Sequence, residues 1–257
     1  MSRPLIGVVT FPGTNCDRDC LYVLREVVGA DAEPVWHEEE NLDGLDAVVL
    51  PGGFSYGDYL RAGAIARFAP AMQALARRVA DGMPVLGICN GFQILLEAGL
   101  LPGAMRPNRG LRFLCRPVKV KVENTATPFT HLYRPGEVLT IPIAHYAGNY
   151  FAWPHQLQEL QRRGQVVFRY CGPGGEDART HPQFNPNGSA GAVAGLASPD
   201  GRVLGMMPHP ERASETAMGS QDGLRVWLSL VEWIRNLPRR PLAQGRGHAV
   251  PQGAAVP

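Results

Sequence analysis

Short runs of β-branched and aliphatic residues recur along the first ninety positions, and between them the apolar residues change to helical spacing. Leu5–Thr10, Ala47–Leu50 and Val85–Ile88 read as buried strands. Cys20, Leu24 and Val27 keep a helical period between the first two, and Ile65, Phe68, Met72, Leu75 and Val79 keep one before the third. Strand, helix, strand, helix implies parallel neighbours, because a parallel pair needs a long crossover and a helix supplies it. The expected fold class is α/β, a doubly wound, mostly parallel sheet with additional antiparallel strands.

The antiparallel part is expected from the change of texture between about 111 and 140. There Phe113–Val122 alternates, and Pro and Gly clusters replace crossovers, as in an insertion or extension. Gln165–Tyr170, Ala192–Ala197 and Arg202–Met207 are further strands, the last two joined into a hairpin by Ser198-Pro199-Asp200-Gly201. A closing helix spans about 223–236, with Leu224, Trp227, Leu228, Val231 and Ile234 on one side and Pro238 as its stop. The Pro- and Gly-rich stretch 238–257 has no apolar period and reads as a disordered tail behind a single domain over 1–237.

Composition narrows the function. The 25 Lys and Arg nearly cancel the 23 Asp and Glu, so no bulk attraction to nucleic acid is implied. With 45% hydrophobic and 19% charged residues the chain can bury a sizeable core. No apolar run is long enough for a bilayer, and Leu5–Thr10 is too short and too β-branched for a signal core, so a cytoplasmic location is expected. Five scattered cysteines fit no disulfide framework.

The chemistry concentrates where a strand runs straight into a helix, at Gly87-Ile88-Cys89-Asn90-Gly91-Phe92-Gln93. A sharp strand-to-helix turn pushes its apex side chain into a cleft, and its flanks must be nearly free of side chains. The new helix also points free N–H groups and its positive dipole end at the apex, which favours a thiolate and any oxyanion beside it. Taken alone, such a cysteine serves equally well as a small buried hydrophobe. A nucleophile needs a proton carrier, and His209 in Gly205-Met206-Met207-Pro208-His209-Pro210-Glu211 lies just past another strand end, where α/β sheets bind ligands. Glu211 is close enough to take a hydrogen bond from the second ring nitrogen, although one histidine between prolines is by itself more often a rigid surface loop. Pro51-Gly52-Gly53-Phe54 follows the strand Ala47–Leu50 at the same edge; with the N–H of Asn90, that of Gly53 would make an oxyanion hole, whereas the commoner use of Gly-Gly is an ordinary turn. Cys16 and Cys20 share a helix face, and core packing is the better reading than a metal site.

Gly87–Gln93 together with Pro208-His209-Pro210-Glu211 resembles the class I, triad-type glutamine amidotransferases, whose fold is flavodoxin-like. The run from Pro51 to Arg67 is similar to one branch, the glutaminase subunits of phosphoribosylformylglycinamidine synthases. Phe11–Asp17, Leu101–Met105, Asn185–Ser189 and Gly205–Ala213 are similar as well, so the resemblance spans about 4–236. One departure stands out: after Pro142–His145 the branch usually continues glycine, acid, glycine, and this chain has Tyr146-Ala147-Gly148-Asn149-Tyr150.

The resemblance implies that Cys89 is the nucleophile, His209 the general acid and base, Glu211 its orienter, and Gln93 a contact to substrate. L-Glutamine would be hydrolysed to glutamate and ammonia in purine biosynthesis. A synthetase subunit, with or without a third small subunit, would accept the ammonia and convert formylglycinamide ribonucleotide to its amidine. ATP and Mg are expected on that partner; this chain has no phosphate-binding loop, since Gly172-Pro173-Gly174-Gly175 lacks the lysine and a following helix, and no cofactor, metal, nucleic acid or membrane is expected. Two other readings stay open on the residues alone: a partner-free hydrolase of the gamma-glutamyl or cysteine-peptidase kind, and a binding module that keeps the fold.

Overall fold

Strands that are apolar along their whole length belong where a sheet is covered on both faces, and the centre of this molecule is built from them. The computed structural model describes residues 3–237; the stretch 238–257 expected as a disordered tail lies outside the described residues. Its strands are β1 (Leu5–Thr10), β2 (Asp31–Trp36), β3 (Ala47–Leu50), β4 (Val85–Ile88), β5 (Ala104–Arg106), β6 (Leu114–Val122), β7 (Val138–His145), β8 (Asn149–Phe151), β9 (Val166–Tyr170), β10 (Val193–Ala197) and β11 (Val203–Met206). Nine of them form one sheet in the order β2-β1-β3-β4-β11-β10-β9-β6-β7, and β5 pairs with β8 separately. The run from β2 to β11 is parallel throughout, and β10, β9, β6 and β7 then add antiparallel pairs. Only β10 and β6 oppose the common direction. This is the expected α/β class, with the helices α1 (Asp17–Tyr22), α2 (Pro70–Ala80), α3 (Asn90–Glu97), α4 (Pro154–Arg162) and α5 (Leu224–Arg235) packed around the sheet.

The central strands β3, β4 and β11 are buried at every residue, whereas β7 alternates between buried and half-buried positions as a strand with one covered face does. The hairpin of β10 and β11 closes through a bond from the Gly201 N–H to the Ser198 carbonyl, 2.9 Å. Two helices differ from their apolar spacing. The residue before a proline is driven out of the helical region, so Ala69 is extended (ψ 144°) and α2 starts at Pro70; Ile65 stays in the preceding segment, Ala66–Phe68 form a separate 3-10 turn, and Phe68 faces solvent. In α5 the buried face is centred on Val226, Trp227, Leu230, Val231 and Ile234, with Leu224 and Leu228 only half-buried.

The antiparallel extension is not an appendage. In strand order β7 is four places from β11, yet the Pro142 carbonyl accepts a hydrogen bond from the His209 N–H at 2.8 Å and the Ala144 carbonyl accepts one from the Cys89 thiol at 3.6 Å. The far edge of the sheet therefore curls back over the carboxyl ends of its parallel strands, where Cys89 and His209 lie. No helix among the described residues is long and apolar enough to cross a membrane.

Candidate active site

Cys89 sits between β4 and α3 with φ 50° and ψ −102°, a left-handed backbone that costs a residue with a β-carbon on the order of 1–3 kcal/mol. The ladder forces it. The Cys89 N–H is held by the Met206 carbonyl at 2.7 Å, which keeps the chain in register with β11 up to the turn, and α3 begins at the next residue. Cys89 is 5% exposed, and the N–H of Asn90 is one of the orphan donors at the start of α3, on the next residue.

His209 follows β11, neighbour of β4, and its ring is buried. Its Nδ1–H donates to Glu211 Oε1 at 2.5 Å, which leaves Nε2 buried with no hydrogen-bond partner. Burial alone would lower the ring's pKa, but Glu211 and the neighbouring Cys89 and Cys16 sulfurs outweigh it and hold the imidazole protonated well above its ordinary range. The structure thus brings Cys89, His209 and Glu211 to one place from two neighbouring strand ends.

Gly52 and Gly53 follow β3, the other neighbour of β4. A β-carbon on Gly52 would stand 2.7 Å from His209 Cε1 and 3.0 Å from Cys16 Sγ, so the ring's seat depends on a missing side chain. Gly52→Ala is expected to displace the imidazole by a fraction of an ångström and to lower glutamine-dependent kcat about 10- to 100-fold with little loss of stability; steady-state rates and a melting curve check it, and an unchanged kcat would refute it. Gly53, at φ 153°, packs against Thr14 and Asn15.

Asn90 and Gln93 face inward. Asn90 Oδ1 accepts the Ser55 N–H at 3.1 Å, and Asn90 Nδ2 donates to Gln93 Oε1 at 2.9 Å. Gln93 Nε2 donates to the Ala147 carbonyl at 2.6 Å. Both ends of the Gln93 amide are therefore occupied by the protein, and this side chain fastens the 146–149 loop onto α3. Asn108 holds the same loop by accepting from the Gly148 N–H and from His145 Nδ1, both at 3.0 Å. Burial, aided by the charge of His209, pushes His145 down to about 3, so it is a neutral ring whose bare Nε2 has no partner. Asn187 and Ser189 hold the loop at the Gly148 carbonyl, 2.7 and 3.1 Å away, which accounts for Asn185–Ser189 as a support of this wall.

Sequence reasoning missed Cys16. Its neighbour Cys20 is core, as expected, but the Cys16 sulfur lies against His209 and accepts a hydrogen bond from Arg212 Nη2 at 3.1 Å. The available signal was its place just past β1, at the carboxyl edge of the sheet beside β3. Cys16, His209 and Glu211 offer donor atoms within 4.8 Å of one another. They suit a cation poorly, because the Arg212 guanidinium sits on the sulfur and the His209 Nδ1 proton is committed to Glu211.

Residues 3–234 match the CobB/CobQ-like glutamine amidotransferase domain. A protein of Moorella thermoacetica, phosphoribosylformylglycinamidine synthase subunit PurQ, is 54% identical over 227 residues, which cover 88% of this chain and 95% of that one. The protein of the same name from Gloeobacter violaceus is 56% identical over 225 residues, 88% and 96% of the two chains. Among solved structures, a chain of PurLQS from Thermotoga maritima superposes with a TM-score of 0.79 at 40% identity, covering 90% of this chain and 99% of its own.

Proposed function

The chain belongs to the family of CobB/CobQ-like glutamine amidotransferase domains, and on that premise we propose that it is the glutaminase subunit of a phosphoribosylformylglycinamidine synthase, acting in purine biosynthesis through Cys89, His209 and Glu211. One amidotransferase domain over 1–237 carries the activity. The observation that supports these roles best is the setting of the His209 ring: Nδ1 is fixed by a buried carboxylate, Nε2 has no hydrogen-bond partner, and Cys89, held at a strained strand-to-helix turn, acts on the ring electrostatically.

The Cys89 thiolate attacks the side-chain amide carbon of glutamine. The amide oxygen becomes an oxyanion facing the N–H groups of Gly53 and Asn90, where fixed dipoles need no reorganisation. His209, already an imidazolium, gives its Nε2 proton to the leaving nitrogen, and the carbon–nitrogen bond breaks to release ammonia. A water molecule then loses a proton to Nε2 and attacks the thioester, which restores the thiolate and frees glutamate. Glu211 keeps the tautomer and orientation of the ring through both half-reactions.

Ammonia is a nucleophile only while unprotonated, and in neutral water it becomes ammonium. The product is therefore useful only if it is handed on without release, to an ATP- and Mg-dependent synthetase subunit that forms the amidine, with or without a third small subunit. Glutamine hydrolysis measured with and without that subunit is the test. Stimulation of about 10- to 100-fold is expected for sites coupled through an interface. Equal hydrolysis in both conditions would favour a partner-free hydrolase, and no hydrolysis in either would favour a binding module.

A further inference from the structure

We propose that Asp58 is the anion that receives the α-ammonium of the substrate glutamine. The inference rests on the glutaminase reading above and extends it to substrate specificity. A glutamine whose amide carbon lies at Cys89 carries its ammonium four bonds further out, and a position partly withdrawn from water that admits this cation needs a negative group opposite it.

The acidic groups near the turn can be sorted by what they already hold. Glu211 is committed to His209, Glu97 takes a paired contact from Arg61 at 2.6 and 2.7 Å, and Asp19 faces Arg212 at 3.5 Å. Asp58 forms no ion pair among the described residues, yet it is only half-exposed, and burial pushes its carboxyl up to about 6. Its Oδ1 stands 3.4 Å from Asn90 Nδ2, on the residue next to the nucleophile. A carboxylate placed there has that one long hydrogen bond from Asn90 to offset its desolvation and no cation opposite it.

The backbone reinforces the assignment. Tyr56, Asp58 and Leu60 adopt left-handed φ values of 52°, 54° and 68°, a conformation that L-residues hold only where their surroundings impose it. The segment is pinned at both ends. The Tyr56 N–H donates to the Pro12 carbonyl at 2.6 Å, the Tyr56 hydroxyl meets His37 Nδ1 at 2.8 Å, and Arg61 is locked to Glu97 on α3. The carboxylate is thereby aimed at Asn90 by a rigid loop.

Asp58→Asn tests the proposal, because asparagine tolerates the left-handed backbone and removes only the charge. In the assembled complex the KM for glutamine is expected to rise at least about tenfold, with kcat within about threefold of the native value, the pattern of a lost binding contact. The control is 4-carbamoylbutanoate, glutamine without its amino group, used as an inhibitor: its inhibition constant should change less than about twofold, and no inhibition of either enzyme counts as no change. An unaltered KM overturns the proposal. So does an equal rise in KM and in the analogue's inhibition constant, which would mean that Asp58 shapes the loop and not the charge of the site. Failure of the native complex to hydrolyse glutamine would instead overturn the functional reading, independently of Asp58.

Discussion

Cys89→Ser is expected to reduce glutamine-dependent synthesis by the assembled complex at least about a thousandfold, while synthesis from added ammonium salt stays within about twofold. Both follow from the placement of the sulfur. A serine oxygen at φ 50° would occupy the same apex, beside the same imidazole and the same helix start. An alcohol, however, is far less acidic than a thiol, so serine would not settle into the charged nucleophile that the cysteine forms beside His209. The amide would bind and stay uncleaved. Ammonia supplied from solution bypasses this chain and needs only the synthetase. Rates measured with each nitrogen source check the prediction, and loss of both activities would contradict the division of labour.

Gly91→Ala should be the most destabilising single methyl addition at the site. Its β-carbon would overlap the Leu50 carbonyl oxygen and lie 2.7 Å from the carbonyl carbon and 2.8 Å from Leu50 Cβ. The obstacle is backbone, and it cannot retreat, because Leu50 is in register with Gly87 in the ladder between β3 and β4. We expect a loss of about 3 kcal/mol or more, equivalent to a drop in Tm of about 6–12 °C in a domain of this size. Gly110→Ala is the control: nothing lies within 4 Å of its added carbon, and a change below about 0.5 kcal/mol is expected. Thermal melts of the two variants decide it, and similar values would refute the close-approach account.

The parts of the fold legible in the sequence are those whose environment is uniform along the chain. β3 and β4 are covered on both faces, so their runs are continuously apolar and their limits are plain. β2 was not legible. It is an edge strand with exposed positions and a proline, Pro34, paired with Val8, and a proline argues against a strand unless the edge is known. Nor was α4, which buries little besides Leu160 and so shows no apolar stripe. The same contrast holds within the site. Cys89, His209, Gly52 and Gly53 all leave the ends of parallel strands, and local turn chemistry marks them. Cys16, Asp58, Asn108 and the Ala144 carbonyl reach the site through curling of the sheet and through loops, which no local period records.

That Gly52, Cys89 and His209 depart from three adjacent members of one parallel ladder has a consequence for how such a protein can change over time. The gaps between the three are set by the roughly 4.8 Å repeat of main-chain bonding and not by whichever side chains fill the interior. Interior residues are then free to drift by exchange of one aliphatic group for another without retuning the reaction. Drift stops where one main chain rests directly on another, as at Gly91. A lineage can thus replace most of its packing and still inherit the same spacing of reacting atoms.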